Sequence, residues 1–512
     1  MPRLLRKNVS FALLPLLLLA AAPALSKWRG PFFQFSFGNQ DPEYAYLMNS
    51  LSVLNLYAPW HRDHPGTTLQ TLGAVLARVE HPTLSRAELN RAVVLAPERT
   101  LWRYGVVLTA ICGLLMGWSA ASVARSLRGP GALRLASLFL TVPFLSTEAW
   151  SYVGRFTPEL PVLALATLVC AAALLTDSRR ALLWLGVGFG LCMATKINGM
   201  PLLLFPVALA LSRRKGLVRF FAIAAAAALA GMAPLFLRWK ESVAYLLAVP
   251  LRVGFGRGNS DHVMSPLEWA GGIVTRAVED PVMVIGLAAG AVLAELARRE
   301  WRRRGDWRKL ERETLLGLTG FLVVLGQVVM VGGMGHRHYL LPGFPPAALE
   351  VVLLVRVASR RWPRRAGQLA SGAALLSTLG ALVALGALLC SRPPRGPAQA
   401  ASRLAIDEAV KSARCRLVPV APSNTEVFAI AWGENFTNNR FVQTLEDAYP
   451  GQAFYDASKK GFLGFGQRPA ANAADFNAGG PICLLGTAGD LALARFPLLL
   501  KTAAGDALYR YR

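Results

Sequence analysis

The stretch RFTPELPVLALATLVCAAALL, residues 155–175, places two charged side chains in front of a long apolar run. No charged residue follows Glu159 in it, and an apolar run approaching 20 residues can cross a membrane as a helix. Similar runs recur along most of the chain, in which 54% of the residues are hydrophobic and 17% are charged. Soluble domains carry about 25% charged residues. The sequence therefore predicts an α-helical polytopic membrane protein.

Hydropathy predicts about eleven membrane spans. They lie near residues 8–26, 100–123, 132–149, 158–176, 181–195, 199–212, 217–238, 270–296, 314–334, 339–356 and 367–391. Clusters of Arg and Lys separate alternate spans, and such clusters mark cytoplasmic loops. Each short loop on the opposite side carries about one basic residue, and these residues are Arg155, Lys196 and Arg337. This asymmetry predicts a multi-pass protein of the inner, cytoplasmic membrane with its N-terminus in the cytoplasm.

The net charge of +25 has the same explanation. A strongly basic soluble protein would suggest a nucleic-acid partner, but here the basic residues form short clusters between apolar runs. We therefore predict that the charge sets the membrane topology and that the protein binds no nucleic acid. The basic residues 1–7 precede either an uncleaved first span or a cleaved signal peptide, and both interpretations place Asp41 outside.

Three segments on the outer side are long, and the last of them differs in character from the rest of the chain. Residues 392–512 have lower hydropathy and begin with a Pro-rich segment. The predicted division is a transmembrane domain (1–391) with amphipathic helices in its first outer loop (27–99), a linker (392–402) and a small extracytoplasmic α/β domain (403–512).

The C-terminal domain carries both helical and strand signals. Helices are predicted at 402–413 and 438–449, from apolar residues at helical spacing. Strands are predicted at 426–432, 452–458 and 481–488, and a hairpin is predicted to close the chain within 495–512. Cys415 and Cys483 could form a disulfide bond if this domain is extracytoplasmic.

The stretch NQDPEYAYLMNS, residues 39–50, follows the first predicted span. Asp41, Pro42 and Glu43 suit the N-cap, the first position and the first turn of a helix. Apolar residues follow at the spacing of an amphipathic helix on the outer membrane face, namely Tyr44, Leu47, Met48 and Leu51. Asp41 is therefore either a helix cap or a carboxylate with a chemical role at the membrane surface, and one residue can serve as both.

The stretch HRDHPGTTLQ, residues 61–70, lies in the same loop. His61, Asp63 and His64 are residue types that bind zinc or manganese. The alternative is a polar turn ended by Pro65 and Gly66. The turn is favoured because no firm ligand spacing is present, and a divalent metal ion stays an open possibility.

Polar residues also lie at three later span ends on the predicted outer side. Arg155 and Glu159 are either an i,i+4 ion pair or part of an active site. Lys196 is either a lysine that snorkels to the interface or a ligand for a lipid phosphate.

The stretch GMGHRHYLLPGFPP, residues 333–346, contains the last of these ends. An aromatic belt explains Tyr339. Arg337, followed by His338, runs against the positive-inside bias, and phosphate recognition would account for it.

Together these residues indicate one kind of chemistry. Carboxylates can remove a proton from an acceptor hydroxyl or amine, and Arg or Lys can stabilise a leaving phosphate. The combination suits transfer of a group from a lipid phosphate at the outer face.

The layout of residues 8–391 resembles the GT-C superfamily of membrane glycosyltransferases, in the branch of protein O-mannosyltransferases and lipid A aminoarabinose transferases. The matching stretches are DPEYAYL, HPGTTLQ, RFTPELPVLAL, ATKINGMP and RHYLLPGFPP. The resemblance implies a GT-C-like bundle and a polyprenyl-phosphate-linked sugar as the donor. Some members of the family use a divalent metal ion and others do not.

The resemblance also implies roles for single residues. Asp41 is similar to the family's catalytic base, Glu43 stands near its second acidic position, and Glu159 resembles the acidic residue before the fourth span. Lys196 and Arg337 resemble contacts to the donor phosphate. The remaining candidates for substrate binding are His64, Arg155, His338 and Tyr339.

The main hypothesis is thus an inverting glycosyltransferase that moves a sugar from a polyprenyl phosphate to a glycan, lipid or protein acceptor. The first alternative is a transporter or flippase for a lipid-linked glycan. Polar residues at span ends and the lack of a visible repeat disfavour it. The second alternative is an assembly subunit whose C-terminal domain binds a partner while its spans act as an anchor.

Overall fold

A computed structural model describes most of the chain. The described residues are 2–30, 43–61, 66–127, 131–175, 178–210, 214–240, 265–306, 310–333, 336–391, 395–467, 480–487 and 492–511. Asp41, Pro42, Asp63 and His64 lie outside these ranges. Their predicted roles as base, helix start or loop ligands therefore stay predictions.

In its described residues the membrane part consists of helices joined by turns and short irregular segments. Its helices are α1 (Pro2–Arg29), α2 (Glu43–Leu54), α3 (Thr67–Glu80), α4 (Arg86–Leu95), α5 (Pro97–Leu127), α6 (Ala132–Thr141), α7 (Thr147–Ser151), α8 (Glu159–Ala173), α9 (Ser178–Thr195), α10 (Leu204–Ala210), α11 (Arg214–Gly231), α12 (Pro266–Val278), α13 (Pro281–Arg304), α14 (Arg312–Val331), α15 (Phe344–Arg361) and α16 (Ala366–Ser391).

These helices form one bundle. Among the described residues, five helical segments are long and apolar enough to cross a membrane, and shorter apolar helices accompany them. Helix α5 packs between α1 and α8, while α13, α14 and α15 pack against one another. Most side chains of α8 are buried, from Glu159 to Ala173. This burial fits the continuous apolar run after Glu159.

The single span predicted at 270–296 is wrong, because the structure divides it into α12 and α13. Asp280 caps α13, and its side chain accepts a hydrogen bond from the backbone N–H of Val282 (2.9 Å). Pro281 occupies the first helical position, where its missing N–H costs no hydrogen bond. The break follows from this Asp-Pro pair inside an otherwise apolar stretch.

Helix α2 also differs from its prediction. The sequence predicted an amphipathic helix on the membrane face, but every residue from Glu43 to Ser52 is buried. Polar side chains on the predicted outer face are satisfied internally. Ser50, for example, donates to the carbonyl of Tyr46 (2.8 Å). Helix α2 is therefore an internal element, packed against α3 and the C-terminal domain.

The C-terminal domain is a mixed α/β fold. It comprises α17 (Arg395–Ala413), β1 (Arg416–Ala421), α18 (Glu426–Glu434), α19 (Val442–Ala448), β2 (Phe454–Asp456), β3 (Gly461–Leu463), β4 (Ile482–Thr487), β5 (Leu498–Lys501) and β6 (Asp506–Arg510). The sheet order is β3-β2-β1-β4-β6-β5. Strand β1 runs parallel to both β2 and β4, and the other pairs are antiparallel.

Most of the predicted elements of this domain are confirmed, and two predictions are wrong. Helix α19, the strands β2 and β4, and the terminal β5–β6 hairpin lie within the predicted segments, and α17 covers the helix predicted at 402–413. Cys415 and Cys483 form a disulfide bond. Residues 426–432, predicted as a strand, form α18, whose N-cap Thr425 accepts a hydrogen bond from the N–H of Phe428 (3.2 Å). Helix α17 begins inside the predicted linker.

The C-terminal domain packs directly on the first loop of the membrane part. Helix α18 lies against α2 so closely that a Cβ atom on Gly433 would be 2.6 Å from the carbonyl oxygen of Tyr44. The Asn49 amide donates to the carbonyl of Phe436 (2.9 Å), and the Tyr449 hydroxyl donates to that of Val94 (2.7 Å). The C-terminal domain thus contacts the membrane part through α2 and through Val94 in α4.

Candidate active site

Glu43, the first residue of α2, forms a buried ion pair with Arg155. The guanidinium donates from Nη2 to Oε2 (2.6 Å) and from Nε to Oε1 (3.1 Å). The backbone N–H of Phe156 adds a third hydrogen bond to Oε1 (3.3 Å). The Glu43 side chain is fully buried. Its role exceeds the first-turn stabilisation that its position predicted, because it fixes an arginine 112 residues away.

The chain before Arg155 is held in place by close backbone contacts. Gly154 has φ = +80°, and a Cβ atom there would lie 2.6 Å from the carbonyl oxygen of Ala22 in α1. The Thr109 hydroxyl accepts a hydrogen bond from the N–H of Gly154 (2.9 Å), and Ser26 donates to its carbonyl (3.0 Å). A side chain at position 154 would both strain the backbone and clash. The glycine therefore brings Arg155 to Glu43.

Glu159 and Lys196 form a second buried ion pair. The Lys196 Nζ atom lies 2.7 Å from Glu159 Oε1, and both side chains are less than a tenth exposed. The ammonium also lies 4.5 Å from the centre of the Tyr339 ring, within range of a cation–π interaction. Lys196 is therefore not a snorkelling lysine. It bridges the start of α8 and the turn that contains Tyr339.

Two amide side chains position that turn. Gln327 and Asn198 both donate to the carbonyl oxygen of Tyr339, at 2.7 and 3.1 Å. All three residues are buried. The sequence reasoning missed Gln327 and Asn198. A lone polar residue inside the apolar run of α14 was the available signal for Gln327.

His338 lies between the two ion pairs. Its ring is 6.0 Å from that of Tyr152 and 4.3 Å from that of Tyr339, measured between centroids. The charges of Lys196, Glu159 and Arg155 all act on it, and the Arg155 guanidinium lies 5.8 Å from the Tyr152 ring centre. The structure thus brings Glu43, Arg155, Glu159, Lys196, His338 and Tyr339 into one cluster, which we call the polar cluster.

The pairing within the polar cluster is not the one expected from sequence spacing. Arg155 and Glu159 were candidates for an i,i+4 ion pair, yet each pairs with a partner on another element. Glu159 begins α8, and Arg155 precedes it in an irregular segment. The i,i+4 geometry requires both residues on one helix, which explains the difference.

Arg337 lies at the edge of this region. Its side chain is 54% exposed, and its Nε atom is 3.5 Å from Glu279 Oε2. Glu279 also pairs with Arg276 (2.5 Å). Arg337 is adjacent in sequence to His338, but its described ion pair points toward the break between α12 and α13.

Tyr44, next to Glu43, faces a group of acidic residues. Its hydroxyl is 3.4 Å from Glu98 Oε1. Burial raises the pKa of Tyr44 well above its ordinary value, and the nearby carboxylates of Glu98, Glu426 and Glu43 raise it further. The hydroxyl therefore stays a neutral hydrogen-bond donor.

The described residues contain no group of three or more His, Cys, Asp or Glu side chains placed to hold a metal ion. Asp41, Asp63 and His64 fall outside them. The chemistry available within the polar cluster is that of fixed cations. Lys196 has three N–H donors, of which Glu159 accepts one.

Comparison with known protein families gives the class of enzyme. The model of glycosyltransferase family 87 matches residues 44–325, which is more than half of the chain and includes Arg155, Glu159 and Lys196 of the polar cluster. The chain belongs to glycosyltransferase family 87. It is a multi-pass membrane glycosyltransferase, as the resemblance to the GT-C superfamily implied.

The fold has a counterpart among solved structures. The crystal structure of ArnT from Cupriavidus metallidurans, bound to undecaprenyl phosphate, aligns with a TM-score of 0.52 at 13% sequence identity. The alignment covers 98% of this chain and 97% of ArnT. At this identity the match shows the fold, a helical membrane bundle followed by a C-terminal domain with a mixed sheet. No curated protein sequence matches the chain significantly.

Proposed function

We propose that this glycosyltransferase is inverting and moves a sugar from a polyprenyl-phosphate donor to an acceptor at the outer face of the cytoplasmic membrane. The observation that carries the proposal is the polar cluster, where Arg155 and Lys196 are each fixed by a buried carboxylate. Preorganised cations of this kind stabilise charge that develops on a departing phosphate. The ArnT structure with undecaprenyl phosphate supports a donor of the same class.

In the proposed reaction Asp41 acts as the base. It accepts the proton of the acceptor hydroxyl or amine, and the freed electron pair forms a bond to the anomeric carbon of the donor. The bond between that carbon and the phosphate oxygen breaks, and its electrons leave with the polyprenyl phosphate. Lys196 and Arg155 offset the added negative charge. A single displacement of this kind inverts the anomeric configuration.

The other candidates have supporting roles. Glu43 and Glu159 hold the two cations in place. Tyr339 and His338 line the space beside Lys196. Arg337 can contact the donor phosphate from the exposed edge, and His64 is proposed to lie near the acceptor. Adding a chelator and then Mg²⁺ or Mn²⁺ tests whether transfer requires a divalent metal ion.

Two experiments test the proposal. In the first, the purified protein is titrated with undecaprenyl phosphate, and binding is followed by native mass spectrometry. Lys196→Met is expected to weaken binding at least tenfold, because it removes a charge-assisted contact worth about 1.5–3 kcal/mol. Arg299→Ala serves as the control, because Arg299 is exposed and its ion pair within the described part of the chain is with Glu295 along α13.

In the second, envelope glycans and lipids of cells with and without the gene are compared by mass spectrometry. Wild-type protein should restore the missing product, and Asp41→Asn at equal expression should not. Full restoration by Asp41→Asn would exclude Asp41 as the base. Movement of a lipid-linked glycan across vesicles without covalent transfer would instead favour a flippase.

A further inference from the structure

A second concave site lies in the C-terminal domain, at the carboxyl ends of two parallel strands. Ala421 ends β1 and is followed by Pro422, and Asp456 ends β2; these three residues form one wall of a cleft of about 250 Å³. Ligands of open α/β sheets bind outside the carboxyl ends of the strands. The cleft is close to the lower limit of roughly 300–1,000 Å³ for small-molecule sites, so its size suits one ring rather than an extended chain.

Aromatic rings form the floor of this cleft. Phe428, Phe454 and Phe465 are buried, and Phe454 packs edge-to-face on both others with centroids 5.6 Å apart. Trp432 lines the same space one helical turn after Phe428. These rings offer flat apolar faces to a ligand. Because they pack against one another, they have little freedom to move into the cleft and fill it.

Two side-chain amides and one carboxylate complete the lining. Asn435 and Gln467 line the cleft, and the amide of neither forms a hydrogen bond within the described part of the chain. Asp456 uses Oδ1 to accept hydrogen bonds from Ser458 and Lys459, which leaves lone pairs on Oδ2, 3.8 Å from the Lys459 ammonium. Each amide offers both donors and acceptors. The described lining contains no Lys or Arg.

The wall that carries Gln467 is built at a conformational cost. Gly466 has φ = +68° and Gln467 has φ = +57°. A Cβ atom on Gly466 would approach Val442 Cγ2 to 3.0 Å. A non-glycine residue in the left-handed region is uncommon, and such strain concentrates at ligand sites. The turn keeps the Gln467 amide at the mouth of the cleft.

This combination of groups selects a class of ligand. Aromatic faces suit the apolar C–H faces of a sugar ring, and amide and carboxylate groups suit its hydroxyls. Without a cation in the described lining, a phosphate would gain little there. We propose that the cleft is a carbohydrate-binding site for one neutral sugar residue. We further infer that this sugar residue belongs to the acceptor, an inference that rests on the proposed function.

The position of α18 relates the cleft to the polar cluster. One side of α18 lines the cleft through Phe428 and Trp432, while its other side places Gly433 against Tyr44. Tyr44 follows Glu43, so one helix, about 10 Å thick, separates the cleft from α2. The cleft and the N-terminal end of α2, which carries Glu43, thus lie on two sides of the same helix.

Saturation-transfer NMR on the full-length protein in detergent tests the proposal. The probes are methyl glycosides of mannose, glucose, galactose, arabinose and N-acetylglucosamine. At least one probe is expected to bind the wild type. Asn435→Ala and Gln467→Gly should each weaken it roughly two- to tenfold, and glycine relieves the positive φ at position 467. Gln443→Ala is the matched control, because Gln443 is exposed and its side-chain hydrogen bond among the described residues goes to Asp447.

The outcomes separate this proposal from the proposed function. Glu159→Gln, which perturbs the polar cluster, should leave probe binding unchanged. Loss of binding in Glu159→Gln but not in the cleft variants would assign the sugar to the polar cluster and overturn the inference. Failure of all five probes to bind, or equal binding by Asn435→Ala and Gln467→Gly, would also overturn it. Asp41→Asn removes the proposed base and leaves the cleft unchanged. Probe binding by this variant would therefore support the sugar site even if transfer were disproved.

Discussion

The Lys196 ammonium lies 2.7 Å from the Glu159 carboxylate, with both groups almost excluded from solvent. Removing one partner of a buried pair leaves an uncompensated charge and costs about 3–5 kcal/mol. Lys196→Met should therefore lower the unfolding temperature in detergent. The double variant Lys196→Met/Glu159→Leu should recover most of that loss, because an apolar replacement of the whole pair is often neutral.

This double variant separates stability from function. It is expected to bind undecaprenyl phosphate as poorly as Lys196→Met, although it unfolds nearly as the wild type does. If phosphate binding returned together with stability, Lys196 would have only a structural role.

Arg155 should not be replaceable by lysine. Its planar guanidinium donates two parallel hydrogen bonds to Glu43, and an ammonium cannot reproduce this fork. We expect Arg155→Lys to lower transfer at least tenfold while the protein still purifies as a folded monodisperse species. Arg78→Lys is a suitable comparison, since Arg78 bonds to backbone carbonyls within the α3–α4 connection. Equal activity of Arg155→Lys and wild type would show that the fork is dispensable.

Glu434 predicts a pH dependence of the C-terminal domain. Burial raises the pKa of Glu434 to about 7 from an ordinary 4.5, against the opposing effect of hydrogen bonds from Thr437 and Phe441. Between these two values the unfolded chain releases the proton first, so it binds fewer protons than the folded chain. Stability from this group is complete below pH 4.5 and is lost as the pH rises toward 7.

Thermal unfolding between pH 5 and 8 measures this effect. The wild type should lose on the order of 2 kcal/mol over the window, and Glu434→Gln should show a flatter profile. Glu446→Gln, at an exposed position in α19, should keep the wild-type slope. A parallel slope in Glu434→Gln would assign the pH dependence to other groups.

The Cys415–Cys483 disulfide tests the proposed orientation. It joins the start of β1 to β4 across 68 residues, and disulfides persist in extracytoplasmic compartments. In a background where Cys112, Cys170, Cys192 and Cys390 are replaced by alanine, both remaining cysteines should resist maleimide labelling in denatured cell extracts until a reductant is added. Labelling without reductant would place the domain in the cytoplasm. Cys415→Ser should destabilise the domain by about 2–5 kcal/mol.

The sequence predicted the helical bundle well, because the membrane itself determines how long an apolar run must be and disfavours charged residues within it. Among its candidate residues are the six that the structure brings into the polar cluster, whereas Arg337 lies at the edge of that cluster and Asp41 and His64 lie outside the described residues. It could not predict that Arg155 would pair with Glu43 and Lys196 with Glu159, because the partners are 112 and 37 residues apart. That choice depends on how the helices pack.

Short apolar segments show the other limit. EVFAIAW, residues 426–432, has the composition of a strand, yet it forms α18. A run of this length does not distinguish strand from helix by periodicity. Its packing on α2 and the cap at Thr425 decide the outcome.

The contact between Gly433 and Tyr44 should control how the C-terminal domain docks on α2. A Cβ atom at position 433 would lie 2.6 Å from the Tyr44 carbonyl oxygen and 2.9 Å from its Cβ atom, so Gly433→Ala must push α18 away from α2. Overpacking of this kind costs about 1–3 kcal/mol.

We expect Gly433→Ala to reduce transfer and to increase protease cleavage around residues 395–413, with the Cys415–Cys483 bond still formed. Gly271→Ala, also helical but with no atom within 4 Å of its added Cβ, should behave as the wild type. Wild-type transfer and protease resistance in Gly433→Ala would mean that the domain tolerates displacement and that α18 does not position Glu43.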